Sequence, residues 1–210
     1  MNFTRIQWTL YSVLLVSTGF LISRIPNANP VRGSTAGTLW FFTFLLLTFG
    51  FSRVRSFVLP LINLRPLREA KTYGYIISAA AVPFFLLKVI VHYEVFLEPD
   101  VIYSLKHPIL MQQPDDFKLL EAALFTPVWE EILFRGILLM VCLRRMPAYA
   151  AILLSAVLFA LFHSGYIAFM IIPSILLGLT AYKTKSVIPS MISHILWNIY
   201  IMKLIFYFPL

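Results

Sequence analysis

Long apolar runs, separated by short clusters of charged residues, follow one another along most of the chain. A helix that crosses a membrane needs about 20 predominantly apolar residues. Runs of about this length predict an all-α, polytopic transmembrane helix bundle with about seven spans, or six to eight if one boundary is misplaced. The approximate runs are residues 6–23, 33–52, 72–91, 117–143, 146–162, 164–182 and 186–210.

The short loops between the runs predict the orientation of the bundle, because cytoplasmic loops carry an excess of Lys and Arg. Three loops, which join spans two and three, four and five, and six and seven, are rich in these residues and fall on one side. The first loop, with Arg24 and Arg32, falls on the other side. We therefore expect a cytoplasmic N-terminus. The basic residues of the three loops are Arg53, Arg55, Arg65, Arg68, Lys71, Arg144, Arg145, Lys183 and Lys185.

The segment from His92 to Asp116 lies between spans three and four and is acidic and interrupted by prolines. Such a segment can act as a lid or a substrate contact, but a plain solvated connection is the favoured interpretation. It is the one sizeable extramembrane loop that the pattern predicts.

Composition supports the membrane interpretation and excludes some functions. Hydrophobic residues make up 60% of the chain and charged residues 12%, whereas soluble domains are about half apolar and a quarter charged. The formal net charge of +8 does not indicate nucleic-acid binding, since the basic residues lie in short loops and not on one basic face.

Three predicted spans contain polar side chains that lipid does not solvate. An ionised side chain at the membrane centre costs at least about 2.5–3.5 kcal/mol, so each one calls for partners inside the bundle. Glu121, Lys88 and Lys203 lie near span ends and are expected to reach the membrane surface, so no chemistry is assigned to them. The remaining polar residues are Glu130, Glu131 and Arg135 in span four, His163 after span five, and His194 and Asn198 in span seven.

Helix geometry sorts these residues, because positions four apart share a face. Glu131 and Arg135 are predicted to pair and to hold span four in place, which leaves Glu130 without a partner on its own helix. His194 and Asn198 share one face of span seven. Singly, each feature is more often a contact between helices than a catalytic group. In combination they predict one water-containing cavity, lined by Glu130, His163, His194 and Asn198.

These clusters resemble the signatures of the CAAX-protease and bacteriocin-processing family of intramembrane peptidases, also called CPBP or Abi. The family's motifs are two glutamates followed by an arginine, Phe-x-x-x-His, and a His with an Asn, and they occur here in the same order within residues 118–210. The resemblance implies an endopeptidase that cuts a membrane-associated protein or peptide, for example at a C-terminal tail. The matching residues are Glu130, Glu131, Arg135, Phe159, His163, His194 and Asn198.

The resemblance also implies roles, with Glu130 as the catalytic glutamate. We expect Glu130 to accept a proton from a water that His163 positions. His194 and Asn198 are expected to donate hydrogen bonds to the developing oxyanion. A metal-dependent version stays open, in which Glu130, His163 and His194 hold a divalent ion such as zinc.

Two further functions stay open, a non-enzymatic membrane immunity or sequestration factor and a proton-coupled transporter. The expected partners are membrane lipid and a membrane-associated protein or peptide, and no nucleic acid. We expect a multi-pass protein of a prokaryotic cytoplasmic (inner) membrane. No repeat or second domain is visible, so residues 1–210 are interpreted as one membrane domain, with N-terminal spans and the extramembrane loop in 1–117 and a catalytic core in 118–210.

Overall fold

A computed structural model describes residues 3–24, 35–110, 113–163, 165–207 and 210. Within these ranges the chain is helical and contains no strand, which confirms the predicted fold class at that level. Arg32, which the sequence places in the first loop, lies outside the described residues. The α-helices are α1 (Phe3–Ser23), α2 (Thr35–Gly50), α3 (Ser52–Val58), α4 (Ala70–Tyr93), α5 (Pro99–Lys106), α6 (Asp116–Leu120), α7 (Thr126–Glu130), α8 (Met140–Cys142), α9 (Ala148–Leu161), α10 (Ile167–Thr184) and α11 (Ile188–Met202).

Helices α6, α7 and α8 belong to one helical segment, residues 116–142, which we call the broken helix. Its first turn is capped by Asp115, whose side chain accepts a hydrogen bond of 2.7 Å from the backbone N–H of Lys118. Two stretches between the α-helical parts are π-helical, Glu121–Phe125 and Glu131–Leu139. Because π-helical turns are frequent at functional sites, the polar residues of this segment are candidates for functional roles.

Three helices of the described chain are long and apolar enough to cross a membrane, and they lie within α1, α4 and α10. The pair formed by residues 36–50 and 52–68 is bent by 98° and makes a fourth if it counts as one span. Helices α9 and α11 are apolar but have only 14 and 15 residues. The chain is thus an integral membrane protein with helical spans, and the predicted number of about seven is not confirmed.

The N-terminal helices pack on the rest of the bundle mainly through aromatic rings. Trp8 of α1 meets Phe57 of α3 edge to face, with the ring centroids 5.5 Å apart. Phe41 of α2 stacks on Phe125 of the broken helix at 4.4 Å. Such pairs add to the burial of apolar surface, so α1 to α3 form an apolar layer on one side of the broken helix.

The three basic loops meet at one end of the bundle, as the charge pattern predicts. The Arg144 guanidinium lies over the ring of Phe57 at 4.6 Å. The backbone N–H of Val187 donates to the Leu61 carbonyl at 2.9 Å, and the Ser186 hydroxyl donates to the Asn63 carbonyl at 2.7 Å. Placing this end, and with it the N-terminus, in the cytoplasm stays a prediction.

The loop between spans three and four is not the plain solvated connection that the sequence favours. It contains α5, on which Ile102 and Leu105 are buried, and Leu105 belongs to the same apolar cluster as Trp197 of α11. Its hydrophilic side carries an ion pair between Lys106 and Glu94, which holds the pKa of the Glu94 carboxyl below its usual range. The apolar side of α5 explains the difference, since its residues recur at helical spacing.

Four helices surround the part of the bundle that contains the polar residues. Helix α10 packs along α9 and α4, and α11 packs along α4 and α10. At Gly178 of α10, an added Cβ would lie 3.3 Å from a side-chain carbon of Ile152 in α9, so a larger residue would push Ile152 aside by a few tenths of an ångström. The Ser193 hydroxyl of α11 lies 3.2 Å from the backbone carbonyl of Ile76 in α4.

Candidate active site

Glu131 and Arg135 form the fully buried ion pair that their spacing predicts. Arg135 Nη1 lies 3.1 Å from Glu131 Oε1, and both side chains have no exposed surface. The guanidinium also donates to the Ser174 hydroxyl of α10 at 2.9 Å and lies over the Phe159 ring of α9 at 4.3 Å. Arg135 therefore links the broken helix to two neighbouring helices while its charge is balanced by Glu131.

His194 joins the two adjacent glutamates. Its Nδ1 lies 3.1 Å from Glu131 Oε1, and its Nε2 lies 3.6 Å from Glu130 Oε2. A carboxylate that pairs with arginine accepts hydrogen bonds and does not donate them, so His194 Nδ1 carries a hydrogen. This contact fixes the ring and directs its other nitrogen to Glu130.

Glu130 is buried, with 6% of its surface exposed. Its Oε2 has no hydrogen-bond partner among the described residues, since the 3.6 Å to His194 Nε2 exceeds hydrogen-bond distance. Glu131, in contrast, is held by both Arg135 and His194. Both glutamates keep an Oε2 without a hydrogen-bond partner among the described residues, but of the two only Glu130 lies in the wall of a cavity.

His163 lies two residues after the end of α9 and is only partly buried. Its Nδ1 is 3.0 Å from the carbonyl oxygen of Phe159. Because a carbonyl only accepts, Nδ1 carries the hydrogen, and in the neutral ring Nε2 keeps its lone pair. The Phe159 ring packs between the two imidazoles, with centroid distances of 4.5 Å to His163 and 5.8 Å to His194.

Asn198 is partly buried on α11, one turn after His194. Its Nδ2 donates a hydrogen bond of 2.8 Å to the backbone carbonyl of Ala122 in the first π-helical stretch. The amide thus joins α11 to the broken helix at a second point, in addition to the contact of His194 with Glu131.

A cavity of about 320 Å³ brings these groups together. Its walls are mostly apolar and come from α4, α5, α9, α10, α11 and the broken helix. The four residues that the sequence predicts around one cavity all lie in its wall, whereas Glu131 and Arg135 lie behind it and support it. The polar lining residues are Thr126, Glu130, His163, Tyr166, Ser193, His194, Trp197 and Asn198.

Several of these contacts carry no clear signal in the sequence. Ser174, which binds Arg135, is one small hydroxyl in an apolar run, and such residues are common in spans. Tyr166 lies just before α10 and lines the cavity. Trp197 lies three positions after His194, so the helical spacing could have placed it on the same face. Glu121, expected at the membrane surface, is instead buried, with 9% of its surface exposed.

The metal-dependent version needs three ligands around one point, which were predicted as Glu130, His163 and His194. In the described part of the chain, no group of three or more His, Cys, Asp or Glu side chains is placed so that it could hold a metal ion. A structural or catalytic zinc site takes at least three protein ligands. The arrangement of these side chains does not fit such a site, so no step of the mechanism below uses a metal.

A comparison with protein families matches residues 116–200 to the family described as type II CAAX prenyl endopeptidase Rce1-like. The matched segment begins with the broken helix, ends just after Asn198 and includes all six predicted site residues. Searches of curated proteins and of solved structures gave no match. The family match confirms the resemblance that the motifs indicate: residues 116–200 of this chain are similar to the Rce1-like, CAAX-type protease family.

Proposed function

We propose that the chain is an intramembrane endopeptidase that hydrolyses a peptide bond in a membrane-associated protein or peptide with a water activated by Glu130. One observation carries the proposal: a buried carboxylate with a free hydrogen-bonding capacity lies in the wall of the same cavity as two imidazoles. A buried carboxylate costs free energy unless it has a hydrogen-bond partner. In the proposal, the water that attacks the substrate is that partner.

In the proposed first step, one hydrogen of the water is donated to Glu130 and the other to Nε2 of His163. Glu130 removes its proton as the water oxygen bonds to the scissile carbonyl carbon, and the carbonyl electron pair moves to oxygen. When the C–N bond breaks, Glu130 returns the proton to the leaving nitrogen. His163 suits the positioning role because its Nδ1 hydrogen is engaged by Phe159, which leaves Nε2 as an acceptor.

The oxyanion is stabilised in this proposal by His194 of α11. With a proton on each ring nitrogen, His194 keeps its Nδ1 contact to Glu131 and presents an Nε2 hydrogen toward the cavity. Asn198, expected from the sequence as a second donor, instead donates an amide hydrogen to the Ala122 carbonyl. Preorganised donors of this kind lower the barrier because they need no reorganisation during the reaction.

The setting of the reaction is also part of the proposal. We place the chain in a prokaryotic cytoplasmic membrane as a multi-pass protein with about seven spans, an N-terminus in the cytoplasm, and lipid around it. A C-terminal tail that carries an apolar group would suit a cavity with apolar walls that opens between helices. Residues 118–210 would form the catalytic core, supported by residues 1–117.

The test compares cells that carry the wild type, Glu130→Gln, or Glu121→Gln. Glu121 is the matched control, because it is a buried glutamate in the same helix that lies outside the cavity wall. Mass spectrometry of membrane and released peptides should show a tail that stays uncut with Glu130→Gln and is cut with Glu121→Gln. General acid–base groups contribute about 10²- to 10⁴-fold, so cleavage should fall by about that factor.

Protein amount in the membrane is measured in parallel and should be equal for the three forms. An unchanged peptide profile with Glu130→Gln would contradict the peptidase. If an immunity or transport phenotype were also retained by this variant, the non-enzymatic factor or the transporter would become the better interpretation.

A further inference from the structure

The carbonyl group of Ala122 receives a hydrogen bond neither from the residue four positions later nor from the residue five positions later. In an α-helix, the donor would be the backbone N–H of Thr126, four residues later. In the π-helical stretch this N–H donates instead to the backbone carbonyl of Glu121. The next backbone nitrogen, five residues after Ala122, belongs to Pro127, which has no hydrogen. The sequence and the π-helical pattern together therefore leave this carbonyl without a helical donor.

The side chain of Asn198 takes the place of that donor. Its Nδ2 lies 2.8 Å from the Ala122 oxygen, which is a normal distance for an N–H to carbonyl hydrogen bond. A carbonyl inside a membrane protein needs such a partner, because lipid offers none. We propose that Asn198 is a positioning residue, which replaces the hydrogen that Pro127 lacks and thereby sets where Glu130 lies relative to α11.

The position of the two contacts supports this role. Asn198 and His194 lie four residues apart on one face of α11, and they contact the broken helix on opposite sides of Pro127. Asn198 holds Ala122, before the proline, and His194 holds Glu131, after it. Helices bend most readily at proline. Two attachments on either side of Pro127 restrict bending there, and Glu130 lies between them, adjacent to Glu131.

The inference deepens the proposed function and rests on it for its effect on catalysis. It differs from a direct role of Asn198 at the oxyanion in one measurable way. A direct donor is lost with Asn198→Ala whatever residue occupies position 127. A positioning residue becomes dispensable when position 127 has its own N–H, as in Pro127→Ala.

The first experiment measures this coupling on the purified full chain in detergent micelles. Four forms are compared: wild type, Asn198→Ala, Pro127→Ala and the double variant. The probe is a fluorescence-quenched peptide with a prenylated cysteine near its C-terminus, and kcat and KM are determined separately. In the wild-type background, Asn198→Ala should lower kcat by about tenfold or more with little change in KM, because Glu130 is misplaced while binding is retained.

In the Pro127→Ala background, the same Asn198→Ala substitution should lower kcat by less than about twofold. An equal loss in both backgrounds would overturn the positioning role and assign Asn198 to the oxyanion. The melting temperature should follow the same pattern, with a loss of about 2–6 °C from Asn198→Ala only when Pro127 is present.

A second variant keeps the inference testable if Pro127→Ala does not fold. Asn198→Asp keeps the size of the side chain, but the ionised carboxylate has no hydrogen to donate and the protonated one has. Its melting temperature should therefore lie below that of the wild type at neutral pH, and the deficit should shrink as the pH is lowered. A deficit that is independent of pH would overturn the inference.

These outcomes separate the inference from the proposed function. If Glu130→Gln retained full cleavage of the probe while the melting temperatures still showed the coupling between Asn198 and Pro127, the proposed function would fail and the positioning contact would stand. If Glu130→Gln abolished cleavage and the coupling were absent, the reverse conclusion would follow.

Discussion

The N-terminal helices and the C-terminal core are both apolar, but they are stabilised differently. In the candidate span of α1, 6% of the residues are buried inside the protein, against 39% in that of α10. Helix α1 contributes a buried hydrogen bond of 3.2 Å between the hydroxyls of Tyr11 and of Thr48 in α2, in which either group can donate. The core instead buries the pair Glu131–Arg135 together with His194. The first region is suited to lipid contact, and the second isolates charge from lipid.

The difference lies in the burial of charge, which has a cost in free energy in the core and not in the N-terminal layer. Charged groups taken out of water are costly unless they are paired and hydrogen-bonded. In the core, opposite charges lie together: Arg135 pairs with Glu131, which accepts a hydrogen bond from His194. Glu130 stands at the end of this series, and its Oε2 has no hydrogen-bond partner among the described residues. A network of this kind holds one carboxylate in the wall of the cavity. The apolar layer of α1 to α3 has no buried charged group among its described residues with which to do so.

The largest expected effect on stability comes from removing the centre of the network. Arg135→Met leaves Glu131 buried without its ion-pair partner, and breaking a buried pair in this way costs about 3–5 kcal/mol. The free energy of unfolding should fall by this amount, measured by denaturant titration in mixed micelles. The matched control is Arg144→Met, which removes an exposed guanidinium that lies over Phe57 and should cost about 1 kcal/mol or less. Equal losses from both variants would contradict the comparison.

A smaller free-energy effect, confined to catalysis, is expected from His163→Gln. This side chain is only partly buried and has one backbone contact, so the free energy of unfolding should change by about 1 kcal/mol or less. Loss of the ring that positions the water should slow cleavage by about 10²-fold, equivalent to about 2.7 kcal/mol. Single-turnover cleavage and micelle unfolding, measured on one preparation, check both halves. A large loss of stability would instead make His163 a structural residue.

The smallest expected effect comes from the N-terminal layer. Tyr11→Phe removes the hydroxyl that contacts Thr48 and keeps the ring in place, so unfolding should be easier by about 0.5–1.5 kcal/mol. Cleavage should stay unchanged, because Tyr11 packs with Phe44, Val54 and Val58 and not at the cavity. A tenfold loss of cleavage would show that the two regions are coupled more closely than their contacts indicate.

The sequence predicted the main partners of the core because charge in an apolar run is a strong signal. The pairing of Glu131 with Arg135 follows from their spacing alone, and the shared cavity follows from the need of each polar group for partners. The partner of Asn198 could not be predicted in this way. It is a backbone carbonyl, which every residue has, and only the π-helical pattern before Pro127 makes the Ala122 carbonyl special.

The number of spans was less predictable, because an apolar run and a helix do not have the same ends. Residues 146–162 form one run, yet α9 begins at Ala148, after Pro147, and ends at Leu161. A proline favours the start of a helix and removes its own N–H from it. The solvated interpretation of the segment from His92 to Asp116 failed for a related reason, since its prolines bound a short amphipathic helix, α5, and do not exclude one.

The shortness of α9 and α11 has a consequence for the membrane itself. At about 1.5 Å per residue, these helices measure about 21 and 22 Å, whereas the hydrocarbon layer is about 30 Å thick. Around a helix that is shorter than the hydrocarbon layer, the bilayer becomes thinner and the lipid headgroups lie closer to the helix ends. His163 lies two residues after the end of α9, so if α9 crosses the bilayer, local thinning would bring bulk water closer to that imidazole. A hydrolytic reaction consumes water. Short helices around the cavity would shorten the apolar path that each water molecule has to cross.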